Sequence, residues 1–191
     1  PRYEYQKIRW EKSNKTNTSL AMQVEALSQG LANASFLAIP IFLISVSPLS
    51  KLSTLEIVGF TIVILSLVFE TIADYQKLKF LKEMKRQNKQ NIVCDVGLWK
   101  YTRHPNYFAE WMVWNGLIIA SIPSYISLFD SEALWLWIMI GVALLYTSRI
   151  MYITLVYLTG AVPSEYYSAQ KRPAYKAYQQ STNIFFPGFK K

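Results

Sequence analysis

Apolar residues in this chain fall into four bunches, and that bunching restricts its fold more than any motif does. Leu31 to Val46 is interrupted by Asn33, Ser35 and Ser45 and carries Pro40. Leu55 to Ala73 has Glu56 at its start and Glu70 near its end. Tyr107 to Ile122 is apolar and aromatic apart from Glu110, Asn115 and Ser121. Ala133 to Leu158 is the strongest, broken only by Arg149 and a few hydroxyls. A membrane-crossing helix needs about 20 largely apolar residues. The last bunch reaches that length, the second nearly does, and the first and third are short. Soluble helices carry polar stripes at helical spacing, and these segments mostly lack them.

Charge placement agrees with a membrane. With four spans and both ends on one side, 18 of the 20 Lys and Arg residues share one face. They lie in the N-terminal stretch (Arg2, Lys7, Arg9, Lys12, Lys15), in the loop from Lys77 to Arg103, and in the C-terminal stretch from Lys171 to Lys191. Only Lys51 falls on the other face, and Arg149 falls inside a helix, where it would pair with Glu70 or Asp74 or snorkel. This is the positive-inside pattern, and it accounts for the net charge of +8 without nucleic acid. No nucleic-acid recognition motif accompanies the basic residues. Trp135 and Trp137 at one end of the last bunch, and Tyr152 and Tyr157 at the other, suit interfacial belts. The expected fold is an all-α integral membrane domain of about four transmembrane helices with both ends on the basic side. A basic loop and a C-terminal amphipathic helix complete it. One domain is expected over 1–191: a polar segment at 1–30, a four-helix core at 31–158 and a C-terminal segment at 159–191. The first residue is Pro, so the numbering is expected to start inside a longer gene product or after processing.

Several chemistries are excluded. Cys94 and His104 are the single cysteine and histidine, so no disulfide framework, cysteine zinc site or multi-histidine metal cluster is available, and no metal is expected. No two of the seven glycines are spaced G-x-G, and the phosphate-loop pattern is absent.

Ionisable residues at the membrane boundary are the functional candidates. Glu70, Asp74 and Lys77 recur at i, i+4 and i+7 on one helical face. They read either as a surface ion pair at a helix end or as a polar seam facing a cofactor. The stretch from Gly97 to Glu110 is denser. Pro105 suits the first turn of a helix, whose N-terminus is positive and donates free N–H groups. With Arg103 that makes an anion site. His104, Tyr107 and Glu110 follow at i, i+3 and i+6, an imidazole, a phenol and a carboxylate that can move protons. The plainer alternative is an interfacial anchor of Arg, Tyr and Trp.

Tyr101-Thr-Arg-His-Pro-Asn-Tyr107-x-x-Glu110 resembles the signature of the steroid 5-alpha-reductase-like membrane proteins, which include the domain of unknown function 1295 group and the sterol C-14 and C-7 reductases. Glu70-x-x-x-Asp74-x-Gln76-Lys77-x-x-Phe80 resembles a second block. Arg172-Pro173-x-Tyr175-x-x-Tyr178-Gln179-x-x-Thr182, followed by Phe186-Pro187, resembles a third. The resemblance implies a helical membrane core that binds NADPH at its cytosolic-type face and reduces a carbon–carbon double bond of a sterol, fatty or isoprenoid lipid. By position, Lys77, Arg103 and Arg172 would meet phosphates. Trp99, Tyr101, His104, Asn106 and Tyr107 would line the nucleotide pocket, and Tyr175 and Tyr178 would close it from the 159–191 segment. Tyr107 and Glu110 would be catalytic. The isoprenylcysteine and phospholipid methyltransferases share Arg-His-Pro-x-Tyr and use S-adenosylmethionine. Asn106 and the acid at 110 favour the reductase branch.

The chain departs from the family pattern in three ways. Ala109 replaces a Gly, and its methyl would crowd a close cofactor. Gly160-Ala161-Val162-Pro163-Ser164-Glu165 only approximates the Gly-Val-Pro-x-x-Glu pattern. Relatives usually carry more spanning helices before Leu31. The second expectation is therefore a shortened, non-catalytic accessory subunit of a larger membrane assembly, with the pocket empty or filled. Membrane lipids, a lipid substrate and other membrane subunits are the partners expected, in the endoplasmic reticulum or the mitochondrial inner membrane.

Overall fold

The computed structural model describes the backbone of residues 2–13 and 17–190, with side chains except at 2–5 and 32–34. Pro1, Lys15 and Lys191, used above in reading the chain start and the charge asymmetry, lie outside the described residues, as does the Arg2 side chain. The described residues form helices and no strands. In chain order these are α1 (Arg2–Lys12), α2 (Thr18–Ala32), α3 (Ala38–Ser45), α4 (Thr54–Arg86), α5 (Pro105–Ser127), α6 (Leu134–Ile153), α7 (Ala161–Lys171) and α8 (Tyr175–Ser181). Wider π turns at Asn33–Leu37 and Thr154–Leu158 link α2 to α3 and follow α6.

Three helices are long and apolar enough to cross a membrane: Thr18–Ser45, Thr54–Arg86 and Leu134–Lys171. Their lipid-facing character is visible at α4, where Ile57, Ile64, Leu65, Leu67 and Val68 are all exposed. The fourth expected span, α5, is 23 residues long. Its Glu, Asn, Tyr, Trp and Ser residues keep it outside that group. The first span also begins well before the expected Leu31. Asn17 accepts the Leu20 N–H through its side-chain oxygen at 3.0 Å and starts the helix there.

Local signals explain the helix ends. Ser53 and Glu56 cap α4 reciprocally: the Ser53 N–H donates to Glu56 Oε2 at 2.7 Å, and the Glu56 N–H donates to Ser53 Oγ at 3.2 Å. At the other end Asn88 adopts a left-handed φ of 53°, and the Lys89 N–H reaches back to the Met84 carbonyl. Pro105 opens α5 as expected.

The chain divides into two compact units. The first holds Pro1–Phe60 and Asn115–Ile150. There Pro40 has no N–H for the carbonyl four residues earlier, and the Thr147 hydroxyl donates to Phe36 O at 2.9 Å instead. Gly59 lets α4 approach α5 closely, since a Cβ on it would lie 2.5 Å from the Ala120 nitrogen. Trp137 stacks on Tyr125 and donates its indole N–H to the Tyr125 carbonyl at 3.1 Å. Trp135 is exposed, as a belt residue should be. Arg149 is exposed and has no ion pair among the described residues.

The second unit holds Thr61–Trp114 and Met151–Lys191, and it contains every candidate site residue. Phe108, Trp111, Tyr152, Phe185 and Phe186 meet there mostly edge to face. Tyr152, expected at a membrane interface, belongs to this cluster.

Candidate functional site

The residues before α5 are laced to the C-terminal segment. The Arg103 N–H donates to the Asn183 carbonyl at 2.9 Å, and the Gly188 N–H donates to the Tyr101 carbonyl at 3.0 Å. The Thr102 hydroxyl donates to the Phe185 carbonyl at 2.9 Å. Three consecutive residues thus hold three points of the last turn of chain.

Arg103 is the centre of this lacing. Its side chain is 10% exposed. Nε donates to Glu165 Oε1 at 2.6 Å and Nη2 to Glu165 Oε2 at 3.1 Å, a bidentate fork. Nη1 donates to the carbonyls of Gln179 at 2.8 Å and Thr182 at 2.5 Å. A guanidinium has five N–H donors, so four are used inside the protein. The residue expected at a phosphate is therefore engaged with a carboxylate and two carbonyls.

Glu165 also takes Gln179 Nε2 at 2.7 Å and lies 3.0 Å from His104 Nε2. His104 is 6% exposed. Burial pushes its pKa down, against the upward pull of the Glu165 carboxylate. The ring is therefore neutral, with Nε2–H donating to Glu165. A neutral buried histidine stabilises the fold above the unfolded pKa of about 6.5 and does so less as the pH falls below it. Thermal stability in detergent should drop on acidification below about pH 6.5, and His104→Asn should flatten that part of the profile. An unchanged slope in the variant would assign the dependence to another group.

Lys77 and Trp99 form a second cluster, with Arg172 within electrostatic reach of Lys77. Trp99 is buried and donates its indole N–H to the Ala73 carbonyl at 2.9 Å. Lys77 Nζ sits 4.2 Å from the Trp99 ring centroid, a cation–π contact. Lys77 and Arg172 feel each other's charge, and Cys94 and Asp74 also lie within electrostatic reach of Lys77. Burial raises the Cys94 pKa, so its thiol stays protonated. Arg172 donates Nη1 to Ser168 Oγ at 3.2 Å, while its Nε is buried without a partner among the described residues. The Asn106 side-chain oxygen is likewise buried without a donor. Gln76 positions the turn that carries Trp99: its side-chain oxygen accepts the Leu98 N–H at 2.8 Å. Gly97 is required beside it, with φ of +54° and Gln76 where a Cβ would stand.

The remaining expected residues divide. Tyr107 stacks parallel on His104, with ring centroids 5.1 Å apart. Glu110 lies one turn further along α5 and within electrostatic reach of Glu70 on α4. Tyr175 and Tyr178 are buried together on α8, and the Tyr178 hydroxyl donates to the Trp99 carbonyl. Burial pushes both phenols upward, so neither ionises near neutrality. Tyr101 is exposed, and its ring meets Phe189. The structure thus gathers Arg103, His104 and Tyr107 in one cluster and Lys77, Trp99 and Tyr178 in another, with Arg172 within electrostatic reach of Lys77, and leaves Tyr101 outside both.

Glu165 is the residue that sequence reasoning passed over as a site. A signal was present. It is the single carboxylate after Glu132, in a stretch with five further Lys and Arg residues from Lys171 onward.

A family model described as "Protein of unknown function (DUF1295)" matches residues 1–182. No curated protein and no solved structure matches the chain.

Proposed function

Because this chain belongs to the DUF1295 family, with which the steroid 5-alpha-reductase-like blocks read above are associated, we propose that it is an NADPH-dependent membrane reductase of a lipid carbon–carbon double bond. The observation that carries this reading is Lys77 over the Trp99 ring, with Arg172 within its electrostatic reach. The two cations repel each other, and Arg172 has a buried Nε–H that lacks an acceptor among the described residues. A phosphate supplies that acceptor and offsets both charges. The orphaned Asn106 oxygen is an acceptor waiting for an amide or hydroxyl donor. These residues fit a phosphorylated nucleotide.

When bound, NADPH supplies hydride to one carbon of the double bond. The chain's own residues do the rest. Lys77 and Arg172 hold phosphate, and Trp99 offers a buried aromatic edge. Tyr107 donates its phenolic proton to the other carbon, so that the bond gains a hydride and a proton. Glu110, one turn along α5, returns a proton to the Tyr107 oxygen. Arg103 is a positioning residue here: with Glu165 it fixes His104, and the His104 ring fixes Tyr107 by stacking.

The purified chain in membrane vesicles, given NADPH deuterated at the nicotinamide C4, tests this. Deuterium should appear in an extracted lipid, and Tyr107→Phe should cut its incorporation by about 100-fold or more while NADPH affinity holds. Undiminished incorporation in Tyr107→Phe removes the tyrosine from the mechanism.

A second reading, a non-catalytic subunit of a larger membrane assembly, draws support from the engagement of Arg103 by Glu165. A chain that transfers no deuterium and stays folded only with other subunits would favour it.

A further inference from the structure

Within the second unit, α4 and α5 leave an apolar groove of about 230 Å³. Ile62, Leu65, Ser66 and Phe69 form its α4 wall, and Phe108 and Ala109 face them from α5. We propose that this groove holds one unbranched fatty-acyl chain. This names the substrate class of the reductase proposed above and rests on that reading.

Three features select the occupant. The groove lies along a helix long and apolar enough to cross a membrane, so hydrocarbon and not water surrounds it. Its volume falls below the roughly 300–1,000 Å³ of pockets that enclose drug-sized ring systems, which disfavours fused sterol rings. Its α4 wall runs from Ile62 to Phe69, seven steps of 1.5 Å or about 10 Å. One acyl chain spans about half of a 30 Å hydrocarbon core, roughly 15 Å, so the groove covers about two thirds of one chain.

The groove is also continuous with the proposed site. Its α4 stripe continues from Phe69 to Ala73, whose carbonyl takes Trp99, and then to Lys77 over the Trp99 ring. Phe69 and Lys77 are eight residues apart, about 12 Å along the helix. On α5, Phe108 and Ala109 are the two residues between Tyr107 and Glu110. A chain in the groove is therefore directed along α4 toward Lys77 and Trp99.

The test is photolabelling of the full chain in phospholipid nanodiscs with palmitic acid bearing a diazirine near its methyl end, read by peptide mass spectrometry. Label should concentrate on Phe108–Met112 and Ser66–Phe69. Ala109→Phe, which fills the groove, should reduce it about tenfold. Leu65→Trp should do the same from the lipid-exposed rim, without disturbing the core. Label spread evenly over the exposed Ile57, Ile64 and Leu67 overturns the proposal, as does equal labelling by a photoreactive cholesterol or polyprenol. NADPH binding on the same sample separates the two readings. Focused label without nucleotide binding leaves the groove standing and removes the reductase. Nucleotide binding with even label removes the acyl groove alone.

Discussion

Replacing Glu165 by Ala should cost about 3–5 kcal/mol of stability, the usual cost of stripping one partner from a buried ion pair. The reason is local. Glu165 is 6% exposed and receives two N–H donors from Arg103, one from Gln179 and one from His104. Without it the Arg103 cation keeps the Gln179 and Thr182 carbonyls but has no counter-charge in a buried site. A loss of this size is a large share of the 5–15 kcal/mol that holds most domains folded. It should also loosen the lacing of Tyr101, Thr102 and Arg103 to the C-terminal segment. Limited proteolysis should then cut readily after Lys171 and Lys176. Glu165→Gln keeps the shape and loses the charge, so its melting temperature should fall between the two. If Glu165→Ala melts within a degree or two of the parent, the buried network does not hold the C-terminal segment.

Removing Lys77 and Arg172 should act on a different quantity. Hydrogen bonds to charged groups are worth about 1.5–3 kcal/mol each, and tenfold in affinity is 1.4 kcal/mol. Lys77→Ala and Arg172→Ala should each weaken NADPH binding by about 10–100-fold, and their double variant by more. Stability should change little in Arg172→Ala, because the Arg172 side chain has only the Ser168 hydroxyl as partner among the described residues. Binding should also weaken with added salt, as charge pairing near a surface does. Loss of affinity in Arg103→Lys but not in these two variants would return the phosphate to Arg103.

The features legible in the sequence were those set by neighbouring residues. Pro105 announced the start of α5. The lack of polar stripes pointed to lipid, and the helices Thr54–Arg86 and Leu134–Lys171 carry that character. What was not legible depended on distant partners. Arg103 reads as an anion site when only its neighbours are considered, yet its carboxylate stands 62 positions away. Tyr152 looks like a belt residue until the C-terminal Phe185 and Phe186 pack against it. The early start of the first span at Thr18 turned on a single Asn17 side chain within a mixed, polar stretch. The Ala109 methyl, noted as a departure that would crowd a cofactor, lies on the wall of an apolar groove.

Calorimetric titration of the purified chain in nanodiscs with NADPH tests most simply the claim that Lys77, over the Trp99 ring, and Arg172 receive a nucleotide phosphate. One saturable site per chain is expected, with quenching of tryptophan fluorescence and with NADH binding more weakly. A folded chain that gives neither heat nor quenching up to millimolar NADPH would contradict it.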